Sequence, residues 1–505
     1  MQFKMTESII QKRNWGVFFL VLLAACSKHP SLPSDYASLD AEPSIWPDYK
    51  GVTIPPNIAP LNFMVDSVDD VIAQITPSVG EAEVYGGKAN KVQIDEDEWH
   101  EMLAASKGKS LSMTVYTKKD GKWSAYKPFT VNVAEEEIDP YISCRVLPPT
   151  FVGYDELAIR QRNLTNFEET DIYNNRQISE GLEGQCINCH SYLNYGTRNM
   201  MFHMRMQNPG TMIVSDGELI FVNLKNNEMI SAAAYNSWHP SLPIIAFSTD
   251  HTMQSFHTRE ISKVEVMESA SDIIIYDVKQ NRVQTVLNDS AEFELFPSWS
   301  PDGKWMYYCS AHYEYKGKFE DTEELLNQYK TLQYNLYRIS FDAKSMTFGE
   351  PELIYDAVAK NRSAVQPRIS QDGRYVLFAE GPWGLFHIWH TSAEVKMLDL
   401  QTGELLDTKS INSPLPESYP SFSSNDRWIL FESRRDDGNY TRTYFAYFDS
   451  KGHLHKPFEI PMEDPEFFRL FLRSWSRPEF MKEPVSILPR QFYEKALTEP
   501  IKVAN

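Results

Sequence analysis

Cysteine is scarce in this sequence, with only 5 thiols among 505 residues. A chain of this length with so few cysteines is not a disulfide scaffold. Basic residues are also few, because 49 Lys and Arg are set against 69 Asp and Glu, which gives a net charge of −20. Binding to phosphate backbones needs basic stripes, so nucleic acid is not a predicted partner.

The sequence also lacks complete motifs for several hydrolytic or nucleotide-binding sites. The zinc-protease pattern that begins at His100 has Ala104 where the second histidine is needed. The P-loop-like stretch Gly108–Ser110 has Leu103 where the first glycine belongs. No G-x-S-x-G motif of a serine hydrolase occurs. The sequence therefore predicts no enzyme class.

The N-terminus has the layout of an export signal. Basic residues precede a short apolar run, Val17–Leu23, which is well below the ~20 residues that cross a bilayer. The run leads into Leu-Ala-Ala-Cys, which ends at Cys26 and resembles the lipobox of bacterial lipoproteins. That resemblance implies cleavage before Cys26 and lipidation of its thiol and amine. Ser27 resembles an outer-membrane sorting residue, so we expect a periplasm-facing anchor. The alternative is an ordinary signal peptide with an incidental cysteine.

The second half of the chain contains a repeated layout in which a polar turn leads into an apolar strand. The positions equivalent to Pro240 are 240, 301, 371 and 424. Four-stranded units of this kind bury their faces by stacking radially as propeller blades. The stretch Ser298–Lys304 resembles the TolB-type propeller repeat, and that resemblance covers about residues 205–460. We expect five or six blades. The repeated segments are Ser237–Ser248, Ser298–Tyr308, Arg368–Phe378 and Ser421–Phe431.

Residues 186–190 form a C-x-x-C-H motif. Two thiols at this spacing can bond to the two vinyl groups of a haem, and the histidine that follows can ligate the iron. The sequence therefore predicts one covalent c-type haem (heme c), tethered by Cys186 and Cys189 and ligated by His190. A redox dithiol, a zinc site and a structural disulfide are the alternatives. No thioredoxin-like context supports the first, and no second C-x-x-C motif supports the second.

Candidates for a sixth iron ligand follow the motif in sequence. Met and His side chains cluster ten to sixteen residues beyond the motif histidine. We predict His203 first, then Met201 or Met204, and a five-coordinate iron stays open. Methionines more often fill gaps in a core, which is the alternative for this cluster.

These features predict a mainly β protein, as the 13% aromatic content also favours. An N-terminal β-sandwich-like domain precedes a TolB-type β-propeller, with an irregular haem-binding segment between them. The predicted division is a signal peptide at 1–25, a Pro-rich tether at 26–60, the sandwich at 61–140, the haem segment at 141–210, the propeller at 211–464 and a tail at 465–505.

The combination of lipobox, Pro-rich segment Trp46–Phe63, C-x-x-C-H motif and TolB-type repeats resembles one family of envelope proteins. They are lipoproteins of anaerobic Gram-negative bacteria, often labelled as cytochrome-c-related propeller proteins. The resemblance covers nearly the whole mature chain but implies no reaction.

Three functional hypotheses follow. The first is electron transfer between the haem and an envelope redox partner such as another cytochrome, which the acidic surface would attract if that partner is basic. The second is a TolB-like scaffold that binds envelope proteins or peptides without a redox role. The third is catalysis at an open haem iron on a small molecule such as peroxide.

Overall fold

Strands dominate the computed structural model, which describes residues 29–148, 156–177, 184–227, 229–313 and 322–504. The first nine strands are β1 (Ala37–Ser38), β2 (Thr53–Ile54), β3 (Phe63–Met64), β4 (Asp70–Pro77), β5 (Glu83–Gly86), β6 (Lys91–Val92), β7 (Ser110–Lys119), β8 (Lys122–Ala125) and β9 (Phe129–Val133). The helices are α1 (Glu96–Ala105), α2 (Thr322–Gln328), α3 (Phe467–Leu470) and α4 (Pro489–Ala496).

The remaining strands are β10 (Tyr141–Leu147), β11 (Ala158–Asn163), β12 (Glu169–Asn174), β13 (Gln185–Leu193), β14 (Gly196–Met206), β15 (Gly210–Ser215), β16 (Glu218–Asn223), β17 (Ala233–Trp238), β18 (Ile244–Phe256), β19 (Val264–Asp277), β20 (Arg282–Leu287), β21 (Glu292–Trp299), β22 (Trp305–His312), β23 (Asn335–Asp342), β24 (Thr347–Tyr355), β25 (Ser363–Ile369), β26 (Tyr375–Gly381), β27 (Glu394–Asp399), β28 (Glu404–Leu405), β29 (Glu417–Phe422), β30 (Trp428–Ser433), β31 (Arg442–Tyr447), β32 (Phe458–Glu459), β33 (Ser474–Met481) and β34 (Ile501–Lys502).

The N-terminal domain is built on one seven-stranded sheet. Strands β1, β8, β7, β4 and β5 follow one another, and β9 pairs with both β2 and β7. Helix α1 begins at the N-cap Asp95 and buries Trp99, Met102 and Leu103 in the domain core. Strands β3 and β6 form only a two-stranded ladder, so the predicted sandwich of two packed sheets is not confirmed.

The Pro-rich residues before this domain belong to its fold. The side chains of Ile45, Tyr49, Val52 and Ile54 are buried in the same core as the sheet. Strand β2 pairs with β9, and Gly51 donates its backbone N–H to Thr130. The prediction of a free tether is therefore wrong for this stretch, because apolar residues between the prolines bury themselves against the domain.

Six four-stranded antiparallel units, one of them extended by β34, form a ring. The innermost strands β33, β13, β17, β21, β25 and β29 each contact the next, and β29 contacts β33, so that the ring closes. The protein is thus a six-bladed β-propeller. Blade 1 is β33-β10-β11-β12, blade 2 is β13–β16 with β34, blade 3 is β17–β20, blade 4 is β21–β24, blade 5 is β25–β28, and blade 6 is β29–β32.

Blade 1 joins the two ends of the propeller. Its innermost strand β33 comes from the predicted tail, and its other three strands follow directly on the N-terminal domain. Residues 141–210 were expected to be irregular, but most of them form strands of blades 1 and 2. That expectation is wrong because bulges interrupt the alternation of polar and apolar residues that would otherwise indicate strands.

The repeated turns found in the sequence have one geometry in blades 4, 5 and 6. The hydroxyl of Ser300, Ser370 or Ser423 donates to a side chain two residues later, at 2.6 to 2.7 Å. The same hydroxyl accepts the backbone N–H at the start of the next strand. In blade 3, His239 takes this place and its Nδ1 accepts two backbone N–H groups. Local polar contacts thus explain why the turn residues recur.

Candidate functional site

Every innermost strand carries a bulge with one residue in the left-handed region of backbone space. The ladder with the neighbouring strand shifts register at this point in all six blades. Such bulges re-aim side chains and are frequent beside functional sites. The six residues with positive φ are Cys189, Tyr235, Phe296, Gln366, Tyr419 and Arg477.

The second half of the C-x-x-C-H motif occupies this bulge in blade 2. Cys189 has a φ of +59° and is 1% exposed. The residue after the bulge is proline in four blades and Asn236 in blade 3, whereas in blade 2 it is His190. In blade 2, Cys189 is therefore the bulge residue with positive φ, and His190 stands where four other blades carry a proline.

Both motif cysteines line one cavity, to which residues near the start of the innermost strands β13, β17, β29 and β33 contribute. This cavity, which we call the thiol cavity, has a volume of about 270 Å³. That volume is slightly below the ~300–1,000 Å³ range typical of small-molecule sites. Its lining residues are Arg145, Leu147, Leu157, Cys186, Asn188, Cys189, Arg205, Met206, Ala234, Tyr235, Asp250, Thr252, Gln254, Val266, Phe386, Ile388, Tyr419, Ser476 and Arg477.

The thiol cavity is electropositive although the chain as a whole is acidic. Three arginines line it, and Asp250 is the one carboxylate among the described lining residues. The Arg145 Nη2 atom donates to the Cys186 sulfur at 3.5 Å. Burial raises the pKa of Asp250, although the nearby Arg205 acts in the opposite direction. The cavity thus presents more positive than negative side-chain charge to whatever enters it.

His190 lies beside the thiol cavity but is not among its lining residues. Its side chain is 0% exposed, and neither ring nitrogen has a hydrogen-bond partner. The ring packs 6.3 Å, between centroids, from the ring of Tyr192. Burial, with a further contribution from Arg477, lowers the pKa of His190 to about 3, although the Ser143 backbone nearby favours the charged form. The imidazole is therefore neutral at pH 7.

The three predicted sixth ligands do not line the thiol cavity. Met204 packs with Ile187 in the core between blades 1 and 2, whereas Met201 packs in the core between blades 2 and 3. His203 is buried, and its Nδ1 lies 2.9 Å from the Thr211 hydroxyl while its Nε2 has no partner. Burial holds the pKa of His203 well below its ordinary value.

Met206 is the sulfur ligand candidate that does line the thiol cavity. It belongs to the same methionine cluster, ends β14, and is about half exposed. It pairs across the ladder with Gln185, next to Cys186. Sequence spacing alone did not separate Met206 from its neighbours, because only the register of β13 and β14 decides which of them reaches the cavity.

The remaining predicted positions are outside the cavity. Cys144 and Cys309 are buried and unpaired, and Cys26 lies outside the described residues. Within the described ranges, no group of three or more His, Cys, Asp or Glu side chains is arranged to hold a metal ion. None of the helices in the described part of the chain is long and apolar enough to cross a bilayer.

Comparison with known proteins adds little beyond the architecture. No protein-family model and no curated protein matches this chain. A mutant of Synechocystis apocarotenoid oxygenase is 12% identical, with a TM-score of 0.35, over 84% of this chain and 95% of that one. Oligogalacturonate lyase in complex with manganese is 13% identical, with a TM-score of 0.30, over 81% and 99%. Tricorn protease is 12% identical, with a TM-score of 0.32, over 70% and 34%.

Proposed function

We propose that this protein is an electron-transfer lipoprotein that carries one covalent c-type haem in the thiol cavity. Cys186 and Cys189 would tether the haem, His190 would supply a nitrogen to the iron, and Cys26 would anchor the chain in the outer membrane, facing the periplasm. The haem supplies one-electron chemistry when bound. The acidic surface would draw a basic redox partner, such as another cytochrome, to the envelope protein.

The observation that carries the proposal is the shared cavity of the two motif thiols beside an unpartnered histidine. Each tether would form when a thiol S–H adds across a vinyl group, with sulfur bonding one carbon and hydrogen the other. This requires both thiols to face one space, as Cys186 and Cys189 do. A buried imidazole without hydrogen-bond partners costs folding free energy. Binding of iron by one ring nitrogen of His190 would recover part of that cost.

The three motif residues would hold a c-type haem under one condition. Because His190 does not line the thiol cavity, its imidazole or the bulge around Cys189 would have to shift towards the cavity for a ring nitrogen to reach the iron. Met206 is the thioether that already lines the cavity and would be the second candidate ligand of the iron. A Met ligand raises the reduction potential relative to a second His.

The test is a reduced-minus-oxidised visible spectrum of the full chain matured with a c-type haem attachment system. We expect a sharp α-band that survives acid-acetone extraction and disappears in the variant with both Cys186→Ala and Cys189→Ala. Cys309→Ala is the matched control, because this thiol is as buried as that of Cys189 but lies in the core formed by blades 4 and 5. A colourless, folded wild-type protein would refute the haem proposal.

The second candidate is a scaffold that binds envelope proteins or peptides through the propeller without a redox role. The specific observation in its favour is that His190 does not line the thiol cavity, so the motif as folded does not present all three of its side chains to one ligand. Under this alternative the two cysteines are ordinary thiols. Absence of haem, with both thiols titratable in the folded protein under reducing conditions, would favour it.

A further inference from the structure

We propose that Arg145, Arg205 and Arg477 form a carboxylate-binding site in the thiol cavity. They come from β10 in blade 1, β14 in blade 2 and β33 in blade 1, which the chain supplies from three distant segments. All three line the same space as the motif cysteines. Their convergence is a product of the closed ring, because β33 brings Arg477 back beside blade 2.

The guanidinium groups are incompletely paired. Arg477 is 6% exposed, and its Nε and Nη1 atoms are buried without a hydrogen-bond partner. The Nε of Arg145 is likewise buried without a partner. Arg205 is half-buried, and Asp250 is the carboxylate that favours its charged form. Arginine is rarely buried without a counter-charge, since an unpaired buried charge costs several kcal/mol.

The surrounding groups neutralise this charge only in part. Asp250 lines the cavity and favours the charged form of Arg205, and Glu479, which lies outside the lining, favours that of Arg477. The other titratable lining groups are the thiols Cys186 and Cys189 and the phenols Tyr235 and Tyr419, all weak acids. A bound carboxylate would supply the missing negative charge and accept paired N–H donors from the arginine forks, which match planar oxygens well.

Two sources can supply this chemistry. One is the pair of propionate groups on a haem tethered by the motif cysteines, and for this source the inference rests on the proposed function. The other is a free small carboxylate that enters the thiol cavity when no haem is present. The recognition chemistry is the same, and the experiment separates the two sources.

The first arm uses the full chain produced without a haem attachment system and kept reduced. Binding of succinate and of inorganic phosphate is measured by calorimetry at low ionic strength. We expect succinate to bind, and Arg477→Gln and Arg205→Gln to weaken it by at least tenfold. Arg490→Gln is the control, because that arginine is exposed on α4 and pairs with Glu494. The half-buried Arg205 covers the case in which the Arg477 variant does not fold.

The second arm uses the haem-loaded protein, if haem attaches. Removal of a positive charge beside the propionates favours the oxidised iron, so Arg205→Gln should lower the reduction potential while Arg490→Gln leaves it unchanged. Arginine-dependent succinate binding in the first arm, or an arginine-dependent potential in the second, supports the site. Absence of both effects in folded variants overturns it. A protein that never takes up haem but binds succinate through these arginines refutes the proposed function and keeps this inference.

Discussion

At the scale of single residues, His190 is the least satisfied polar side chain of the motif. A neutral imidazole usually donates from one nitrogen and accepts at the other, but here both nitrogens are buried without partners. Full burial also holds its pKa near 3. Because the unfolded chain binds a proton at a pKa near 6.5, folding excludes protons from this residue as the pH falls below neutrality.

In protein produced without haem, this exclusion predicts a pH dependence of stability. Between about pH 3 and pH 6.5 the unfolded state binds more protons at His190 than the folded state, so the free energy of unfolding falls as the pH is lowered. One such group contributes a slope of up to about 1.4 kcal/mol per pH unit. In His190→Asn, which places the blade 3 residue in blade 2, the slope measured by urea unfolding between pH 7 and 5.5 should be shallower.

His257→Asn is the control for this substitution, because His257 is only partly buried and its side chain makes no hydrogen bond or ion pair among the described residues. Its slope should match that of the wild-type protein. Equal slopes for wild type and His190→Asn would show that the His190 ring is hydrated in solution or already bonded to a partner.

At the scale of elements, the bulge is the unit that the six innermost strands share. A residue with positive φ is followed by proline in blades 1, 4, 5 and 6, so the backbone at this point already suits a fixed φ and does not need an N–H group in the ladder. His190 follows the same bulge conformation, so the role of its side chain can be separated from the role of the bulge.

The separation predicts opposite outcomes for two proline substitutions one residue apart. His190→Pro should fold with nearly wild-type stability, because the bulge accommodates proline elsewhere. Ser191→Pro should be clearly less stable than His190→Pro, since Ser191 pairs with Met201 in the ladder and hydrogen-bonds Asn236. Thermal unfolding followed by circular dichroism measures both. Equal loss in the two variants would mean that the bulges are not structurally equivalent.

Part of this arrangement is predictable from the sequence and part is not. The turns at Ser300 and Ser370 recur in sequence because their hydrogen bonds are local, so the propeller was predicted from them, and six blades fall within the expected five or six. The equivalence of Cys189-His190 with Phe296-Pro297 was not predicted, because blade 2 lacks the proline that follows the bulge residue in four other blades. A serine followed by an aromatic residue comes next in both segments. That pair was the available signal.

The convergence of the three arginines could not be predicted. Arg145 and Arg477 are more than three hundred residues apart in the sequence. Only the register of blade 2 and the pairing of β33 with β10 bring the three side chains together. The same holds for Met206, which differs from Met201 and Met204 in lying at the end of β14, where the strand reaches the cavity. Packing of the Pro-rich N-terminal stretch was likewise hidden, since its apolar residues follow no simple period.

At the scale of the whole molecule, the N-terminal domain and the propeller share one core. Trp475 and Phe480 of β33 are buried together with Trp99 of α1 and with strands of blade 6. All eight residues of β33 are buried. The last strand of the ring therefore holds together blade 1, its neighbours and the N-terminal domain.

Removal of this strand should unfold much more than one blade. Truncation after Arg473 removes Trp475 and Phe480, and loss of each such side chain costs about 3–5 kcal/mol, which is comparable with the whole stability of a domain. We expect loss of cooperative urea unfolding and rapid proteolysis in the N-terminal domain. Truncation after Leu497, which removes only the exposed β34, should change little. A truncated protein that resists protease as well as the full chain would contradict the shared core.

The position of β33 near the end of the chain also sets an order of events during biogenesis. Blade 1 is incomplete until residue 481 has been synthesised and delivered, and until then the ring of blades is open next to blade 2. Cys189, enclosed in the finished ring, is most accessible during this interval. An enzyme that modifies this thiol would therefore act faster on the newly synthesised chain than on the closed ring. The extent of modification would then depend on the rate of modification relative to the rate of ring closure.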